Sequence, residues 1–449
     1  MKNLILILFL FSIKLCAQCF IVGADLSYTN TVLSNGGIYR DTNNTIVNPY
    51  QLFAEKGANM MRMRLFHSPQ NNVNSCGVPI SVNTIDDVIL GFTNAKSHGM
   101  KLKLAIHYGD YFNDPGKQKR PQAWAGLSGT ILLDSIYNYT FSTLEKLKNQ
   151  NVIPDIVAIG NETTWGFIDN FNTTDGWSWP EDASKFNTAL SAVDDFNAAN
   201  ATIIKKAVHF TDNTTSWLAG LFTEQNITNY DIIGISFYPE WSNFTNLSQL
   251  GNLITTLKTT YNKDVMIFET GVPWTTSSSD SYSNIINTYG NLSYPVSPQG
   301  QKQFFLDLTT LVYNAGGKGV LYWEPNWISS SLCDLWGQGS SYENLSFFNF
   351  SNNNQALPIF DVFSFCDNLS VMNQKFNSIT IYPNPARNEV TIDGIENNTK
   401  IIISDVYGRE IVKTFLIENK VHFSELETGI YYFTIYLASE KIVKKIVVE

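Results

Sequence analysis

Eight short, largely apolar runs recur between residues 20 and 325, and nearly all end in polar or aromatic residues. They are "FIVGADLS" (20–27), "MMRMRLF" (60–66), "KLKLAIHY" (101–108), "DIVAIGNE" (155–162), "KKAVHF" (205–210), "DIIGISFY" (231–238), "VMIFET" (265–270) and "KGVLYWEP" (318–325). Strands with one wet face alternate apolar and polar side chains, whereas strands covered on both faces read as continuous apolar runs. Helical patterns lie between them: "PYQLFAEKG", "TIDDVILGFTNAKSHG", "LLDSIYNYTFSTLEKLKN", "SKFNTALSAVDDFNAAN", "LSQLGNLITTLKTTYNK" and "PQGQKQFFLDLTTLVYNAGG". Several of these close on Gly or a Lys-rich turn, as helix C-termini prefer. "LPIFDVFSF" (357–365) is read as the closing helix. Eight strands mostly followed by helices predict a closed (β/α)8 barrel. An open doubly wound sheet usually carries a Gly-rich phosphate loop, and none is visible.

The chain changes character after residue 366. "DNLSVMNQKFN" (367–377) reads as a linker. Residues 378–449 then give seven short alternating runs with Asn, Pro and Gly turns, which predict a small antiparallel β-sandwich. A Glu-Thr-Gly triplet occurs in both parts. At 427–429 it is read as a turn before an edge strand; at 269–271 it ends a buried parallel strand.

The first 17 residues combine Lys2, an apolar run from Leu4 to Ile13, and Leu15-Cys16-Ala17. That is the pattern of a secretory signal peptide cleaved after Ala17, and the run is too short for the roughly 20 residues of a membrane span. The mature barrel domain is therefore placed at 18–366. A net charge of −10 argues against nucleic acid and against a basic membrane-surface anchor as partners. A monomer is expected. The 10 Trp, 21 Tyr and 29 Phe first serve the cores, and their surplus suits flat stacking surfaces for a ligand.

In such a barrel the C-terminal strand ends form one face, where active sites are built. Strand 2 carries Arg62 and Arg64, and strand 3 runs into His107, Tyr108 and Asp110. Strand 4 ends in Asn161 and Glu162, strand 5 carries His209, strand 6 ends in Tyr238, strand 7 in Glu269, and strand 8 in Tyr322, Trp323 and Glu324. Taken singly each has an ordinary explanation: a charged first helical turn, a core histidine, a structural ion pair. Their convergence on one face argues for chemistry. Two carboxylates among Arg, His and Tyr suit glycosidic bond cleavage, one protonated to donate to the leaving oxygen and one ionised to attack the anomeric carbon. A gap of about 5 Å between them gives retention of configuration, and about 6.5–9.5 Å gives inversion.

Several strings resemble glycoside hydrolase family 53, the arabinogalactan endo-β-1,4-galactanases of the retaining clan A barrels. They are "GADLS" (23–27), "RMRLFHSP" (62–69), "IHYGDYFNDPGKQKRPQAW" (106–124), "IGNE" (159–162), "GISFYPEW" (234–241), "FETGVPW" (268–274), "SPQGQ" (297–301) and "GVLYWEPNW" (319–327). The resemblance implies Glu162 as acid/base and Glu269 as nucleophile. It implies Asn161 bonding the 2-hydroxyl of the reacting sugar, and Tyr238 and Arg64 holding the nucleophile ionised. Trp323 would floor the reacting subsite, and His107, Asp110, Trp274 and Trp327 would line the cleft. Phe66 and Gly109 stand where the family usually has Trp and Ser. Some relatives hold calcium in an acidic loop after strand 7. Here that loop offers Asp280 and Asn284, short of the six to eight oxygen ligands calcium takes, so no cofactor or metal is expected.

The tail resembles the C-terminal sorting domain of the type IX secretion system through "IYPNPARNEVTI" (381–392), "ISDVYGREI" (403–411), "LETGIYYFTI" (426–435) and "KIVKKIVVE" (441–449). This implies a partner in the secretion machinery and a secreted or surface-attached product; the alternative is a carbohydrate-binding sandwich. The leading expectation is an exported endo-β-1,4-galactanase acting on pectic galactan. The alternatives are another clan A endo-glycanase, acting on mannan or glucan, and a surface glycan-binding protein with a dead barrel. Export permits disulfides. Their places in a barrel predict Cys19–Cys366 near its N-terminal face and Cys76–Cys333 between loops of the catalytic face.

Overall fold

The computed structural model describes residues 20–170, 175–366, 379–437 and 440–449. The chain divides into two compact units, one running to Ser364 and one from Phe365 to Glu449. The expected signal peptide, the linker and Cys19 lie outside the described residues.

The first unit is a closed parallel barrel. Its strands are β1 (Ile21–Asp25), β2 (Met60–Leu65), β3 (Lys101–Ile106), β4 (Ile156–Ile159), β5 (Lys205–Thr211), β6 (Ile232–Ser236), β7 (Asp264–Glu269) and β8 (Gly319–Tyr322). They close in sequence order, with β8 returning to pair with β1. All eight coincide with the apolar runs. Inside, Met60, Ala105, Ala158, Ala207, Met266, Phe268 and Leu321 belong to one buried apolar cluster. Gly234 makes room for Phe268: a Cβ there would sit 2.0 Å from the ring. Small and large residues thus alternate to fit a narrow interior.

The helices start where short polar side chains cap orphan backbone N–H groups. Thr84 caps Ile85–Ser97, Ser297 caps Pro298–Asn314, and Asn246 forms a capping box with Gln249 at Leu247–Tyr261. Pro298 occupies a first-turn position, where its missing donor costs nothing. Two helices were not legible, the short Thr29–Ser34 and the longer Asp212–Glu224. The opening of the longer one, "DNTTS", reads as a turn, and the last strand residue, Thr211, doubles as its N-cap residue.

The closing segment is also different: Pro358–Ser364 forms 3₁₀ turns rather than an α-helix. Its proline and bulky residues serve packing, with Phe360 and Phe363 buried against Phe53. The Cys76–Cys333 disulfide is formed, with Cα atoms 6.0 Å apart, and ties the loops after β2 and β8. Among the described residues no helix is long and apolar enough to cross a membrane.

The second unit comprises a three-stranded antiparallel sheet (Thr380–Tyr382, Glu389–Asp393, Lys420–His422) and a four-stranded one. The latter runs Glu410–Phe415, Lys400–Ser404, Gly429–Leu437, Glu440–Val448. Its core is aliphatic, with Val390, Ile392, Ile401, Ile403, Phe433 and Ile435 buried. The strand after the tail's Glu-Thr-Gly is not an edge: Gly429–Leu437 pairs on both sides. Its inward Phe433 and Ile435 need a central position.

Candidate active site

Inward-facing residues at the C-terminal strand ends meet through one guanidinium. Arg62 on β2 donates from Nη2 to Asn161 Oδ1 at 2.8 Å and to Glu269 Oε1 at 2.6 Å. The ends of β4 and β7, 108 residues apart in sequence between Asn161 and Glu269, are thereby joined at one nitrogen atom. Tyr238, just past β6, donates to Glu269 Oε2 at 2.9 Å, so both carboxylate oxygens are held. Burial and then the Glu269 charge push the Tyr238 hydroxyl well above its usual range, which keeps it a donor.

The expected partner of Glu269 was Arg64, and the structure corrects this. Arg64 pairs with Glu324 and reaches Asp25 Oδ1 at 3.4 Å. Both arginines face inward because they are two residues apart on one strand. Arg62, one pleat deeper, lies level with Glu269, while Arg64 sits at the rim with its guanidinium 5.1 Å from the Trp323 ring. Asp25 at the end of β1 bonds both arginines and accepts from Ser27 N–H at 3.0 Å. Burial works against its charge, but Arg64 and Arg62 outweigh it and hold Asp25 below its usual range. Glu324 has less support: burial, and after Arg64's opposing pull the Asp25 charge, push it up to about 8.

Glu162 has a different environment. Burial and then the Glu269 charge push its carboxyl up to about 8. The residue keeps partial exposure towards the cavity. A buried relay adjoins it. His209 Nδ1 lies 3.1 Å from Asn161 Oδ1 and its Nε2 2.9 Å from Ser236 Oγ. Burial and then Arg62 push His209 far below its usual range, so the ring is neutral. Asn161 Oδ1 accepts from Arg62 and its amide nitrogen donates to Asn113 O at 3.0 Å, so the ring proton belongs on Nδ1. Nε2 then accepts from Ser236, and the Ser236 hydroxyl opposes, without cancelling, the upward push on Glu162.

A cavity of about 210 Å³ lies over this cluster, lined by Asn161, Glu162, Tyr238, Glu269, Trp323 and Trp327 among others. Arg64 also lines it, beside Tyr28 and Phe112. Three expected cleft residues lie elsewhere. His107 is fully buried behind Phe66, with Nδ1 accepting from Asn113 N–H at 3.2 Å. Asp110 turns away to accept from Gln122 N–H at 3.0 Å and Asn71 at 3.2 Å. Trp274 packs on Phe350 and donates to Glu343 O at 3.4 Å. Loop paths, invisible to strand periodicity, decide all three. The sequence reading had assigned no role to Asp25, Ser236, Trp241, Trp336 or Tyr342; the last three also line the cavity. Asp25, Ser236 and Trp241 stood inside quoted motifs, which was the available signal.

The loop after β7 does not fit calcium. Asp280 Oδ1 accepts from Tyr282 N–H at 2.7 Å, and Oδ2 from Ser340 N–H at 2.8 Å and from Ser329. Its oxygens are satisfied by Tyr282 of the same loop and by Ser329 and Ser340 of the segment after β8. Among the described residues no group of three His, Cys, Asp or Glu side chains could hold a metal.

The family model of glycosyl hydrolase family 53 matches residues 21–363, and that of the secretion system C-terminal sorting domain matches residues 380–449. The chain is 39% identical over 346 residues to an arabinogalactan endo-β-1,4-galactanase of Cellvibrio japonicus, covering 76% of this chain and 89% of the relative. It is 33% identical to an endo-β-1,4-galactanase of Bacillus subtilis, covering 69% and 70%. The fold is similar to a family 53 catalytic domain from Ignisphaera aggregans, with a TM-score of 0.69 at 30% identity, over 77% of this chain and 96% of that one.

Proposed function

This chain belongs to glycosyl hydrolase family 53 and is a glycoside hydrolase, and from that premise we propose that it cleaves internal β-1,4-galactosidic bonds in the (arabino)galactan side chains of pectin with retention of configuration. The observation that carries the reading is a pair of glutamates on one cavity with opposite surroundings. Glu269, ion-paired to Arg62 and bonded by Tyr238, is the nucleophile. Glu162, pushed up to about 8 by burial and by Glu269, carries the proton.

The reaction runs in two displacements. Glu269 attacks the anomeric carbon while Glu162 gives its proton to the departing oxygen, leaving a galactosyl ester on Glu269 and a free chain end. Once that charge is neutralised, Glu162 is better able to stay ionised, and it takes a proton from water as the water attacks the ester. Asn161, fixed through Oδ1 and Nδ2, is placed to bond the 2-hydroxyl, and Trp323 offers a ring beneath the sugar. No cofactor and no structural calcium enter this reading. The tail is proposed to direct export by the type IX secretion system to the medium or the cell surface, consistent with its sorting-domain match.

Reducing-sugar release from β-1,4-galactan, with the anomer of the first product read by NMR, tests the proposal. Retained β-anomer is expected. Hydrolysis of mannan or glucan instead would move the substrate, and tight binding with no hydrolysis would refute the enzyme.

A further inference from the structure

The cavity over Glu162 and Glu269, about 210 Å³, is smaller than the roughly 300–1,000 Å³ of pockets for drug-sized ligands. It takes the reacting sugar and little more, so a polymer must continue over protein surface outside it. At its edge stands Trp241, 50% exposed, its ring 5.1 Å from Tyr238. Outside it, Trp165 and Trp217 are 53% and 48% exposed, with ring centroids 5.7 Å apart and planes tilted by 42°.

Hydrogen bonds tie together the segments that carry these three tryptophans. Thr163 N–H donates to His209 O at 2.9 Å, fastening the loop that carries Trp165 to β5. Asn213 Nδ2 donates to Trp241 O at 3.1 Å, and Asn243 N–H donates to Asn213 Oδ1 at 3.2 Å. The helix carrying Trp217 is thereby fastened to the loop of Trp241. The three rings come from the segments that follow β4, β5 and β6, which are neighbouring strands: two loops and, for Trp217, the helix Asp212–Glu224. Trp165 follows Glu162 by three residues. A contiguous aromatic surface left in water marks a binding site more often than a packing accident.

We infer that Trp165 and Trp217 form a remote subsite that stacks galactopyranose rings of the polymer on the Glu162 side of the bond being cut; this rests on the galactanase reading of the cleft. A pyranose offers an apolar C–H face to an aromatic ring. The axial O4 of galactose turns each ring against the next along a β-1,4 chain, so two tilted planes suit successive sugars better than one flat floor.

The test compares kcat/KM on long β-1,4-galactan with kcat/KM on β-1,4-galactotriose, using the full chain. The double variant Trp165→Ala with Trp217→Ala should lower the polymer-to-trisaccharide ratio by about threefold to tenfold. Trp165→Tyr with Trp217→Tyr, which keeps two flat rings, should hold the ratio within about twofold of the parent. An unchanged ratio in the alanine variant, or an equal fall in the tyrosine variant, overturns the subsite. Should the alanine variant fail to fold, retardation by galactan in affinity electrophoresis decides, using each single alanine variant in the Glu162→Gln background. Retardation equal to that of Glu162→Gln alone overturns the proposal, and weaker retardation supports it. Failure of the galactanase reading looks different: the parent would release nothing from galactan, and the same ratio measured on the polymer it does cleave would then decide the subsite.

Discussion

Replacing Asp25 by Asn tests whether the catalytic geometry hangs on a residue that touches neither glutamate of the proposed pair. The substitution keeps the shape and removes the charge that bonds Arg62 and Arg64. Breaking a buried pair by removing one partner costs about 3–5 kcal/mol. Part of that returns, because Glu324 loses the repulsion of Asp25 and ionises more readily against Arg64. A net loss of about 3–4 kcal/mol follows, or roughly 4–6 °C in the melting temperature of a barrel this large. The functional loss is larger. Arg62 holds both Glu269 and Asn161 through one nitrogen. If the freed guanidinium shifts by about 1 Å, kcat/KM falls on the order of 100-fold.

The pH dependence has a definite sign. Asp25 is held below its usual value of 3.8, so its contribution is present above that value and is lost as pH falls through the lower folded value. The melting gap between parent and variant should therefore be full at neutral pH and shrink below about pH 4. Scanning calorimetry across pH, with galactan hydrolysis alongside, reads both effects. A variant melting within about 2 °C of the parent and keeping kcat/KM within about threefold would refute the clamp.

Three further outcomes follow from the same geometry. Glu162→Gln should lower turnover of galactan by about 10²–10⁴-fold, read by reducing-sugar release; activity close to that of the parent would remove Glu162 from the reaction. Because Glu162 acts protonated and is pushed up to about 8, the alkaline limb of kcat/KM should fall tenfold per pH unit above that value, and a limb near pH 5 would contradict the assigned environment. Tyr238→Phe removes one hydrogen bond to the Glu269 carboxylate, worth about 1.5–3 kcal/mol, so kcat/KM should fall by about 10- to 150-fold with little change in melting temperature.

How much was legible depended on the range of the physics involved. Continuous apolar runs report burial on both faces, a local property, so all eight barrel strands could be read from them. Helices with capping residues and a long apolar stripe were equally legible. The helix Asp212–Glu224 was not, because its N-cap residue belongs to the preceding strand. The edge assignment after the tail's Glu-Thr-Gly failed for a related reason: a turn motif says where a strand begins, not how many neighbours it has.

The candidate site divides in the same way. Sequence alone placed Glu162 and Glu269 at strand ends, because a carboxylate closing an apolar run of a parallel barrel strand must face the loop end. Which arginine meets Glu269 it did not decide. Arg62 and Arg64 share a strand face, and only the level of β2 against β7 in the closed barrel selects Arg62. His107, Asp110 and Trp274 lie outside the cavity because their positions depend on the course of the loops, held by partners such as Asn113, Gln122 and Phe350. Burial patterns are written locally along the chain; the meeting of charged groups from five different strands is a property of closure, and exists only once the barrel is formed.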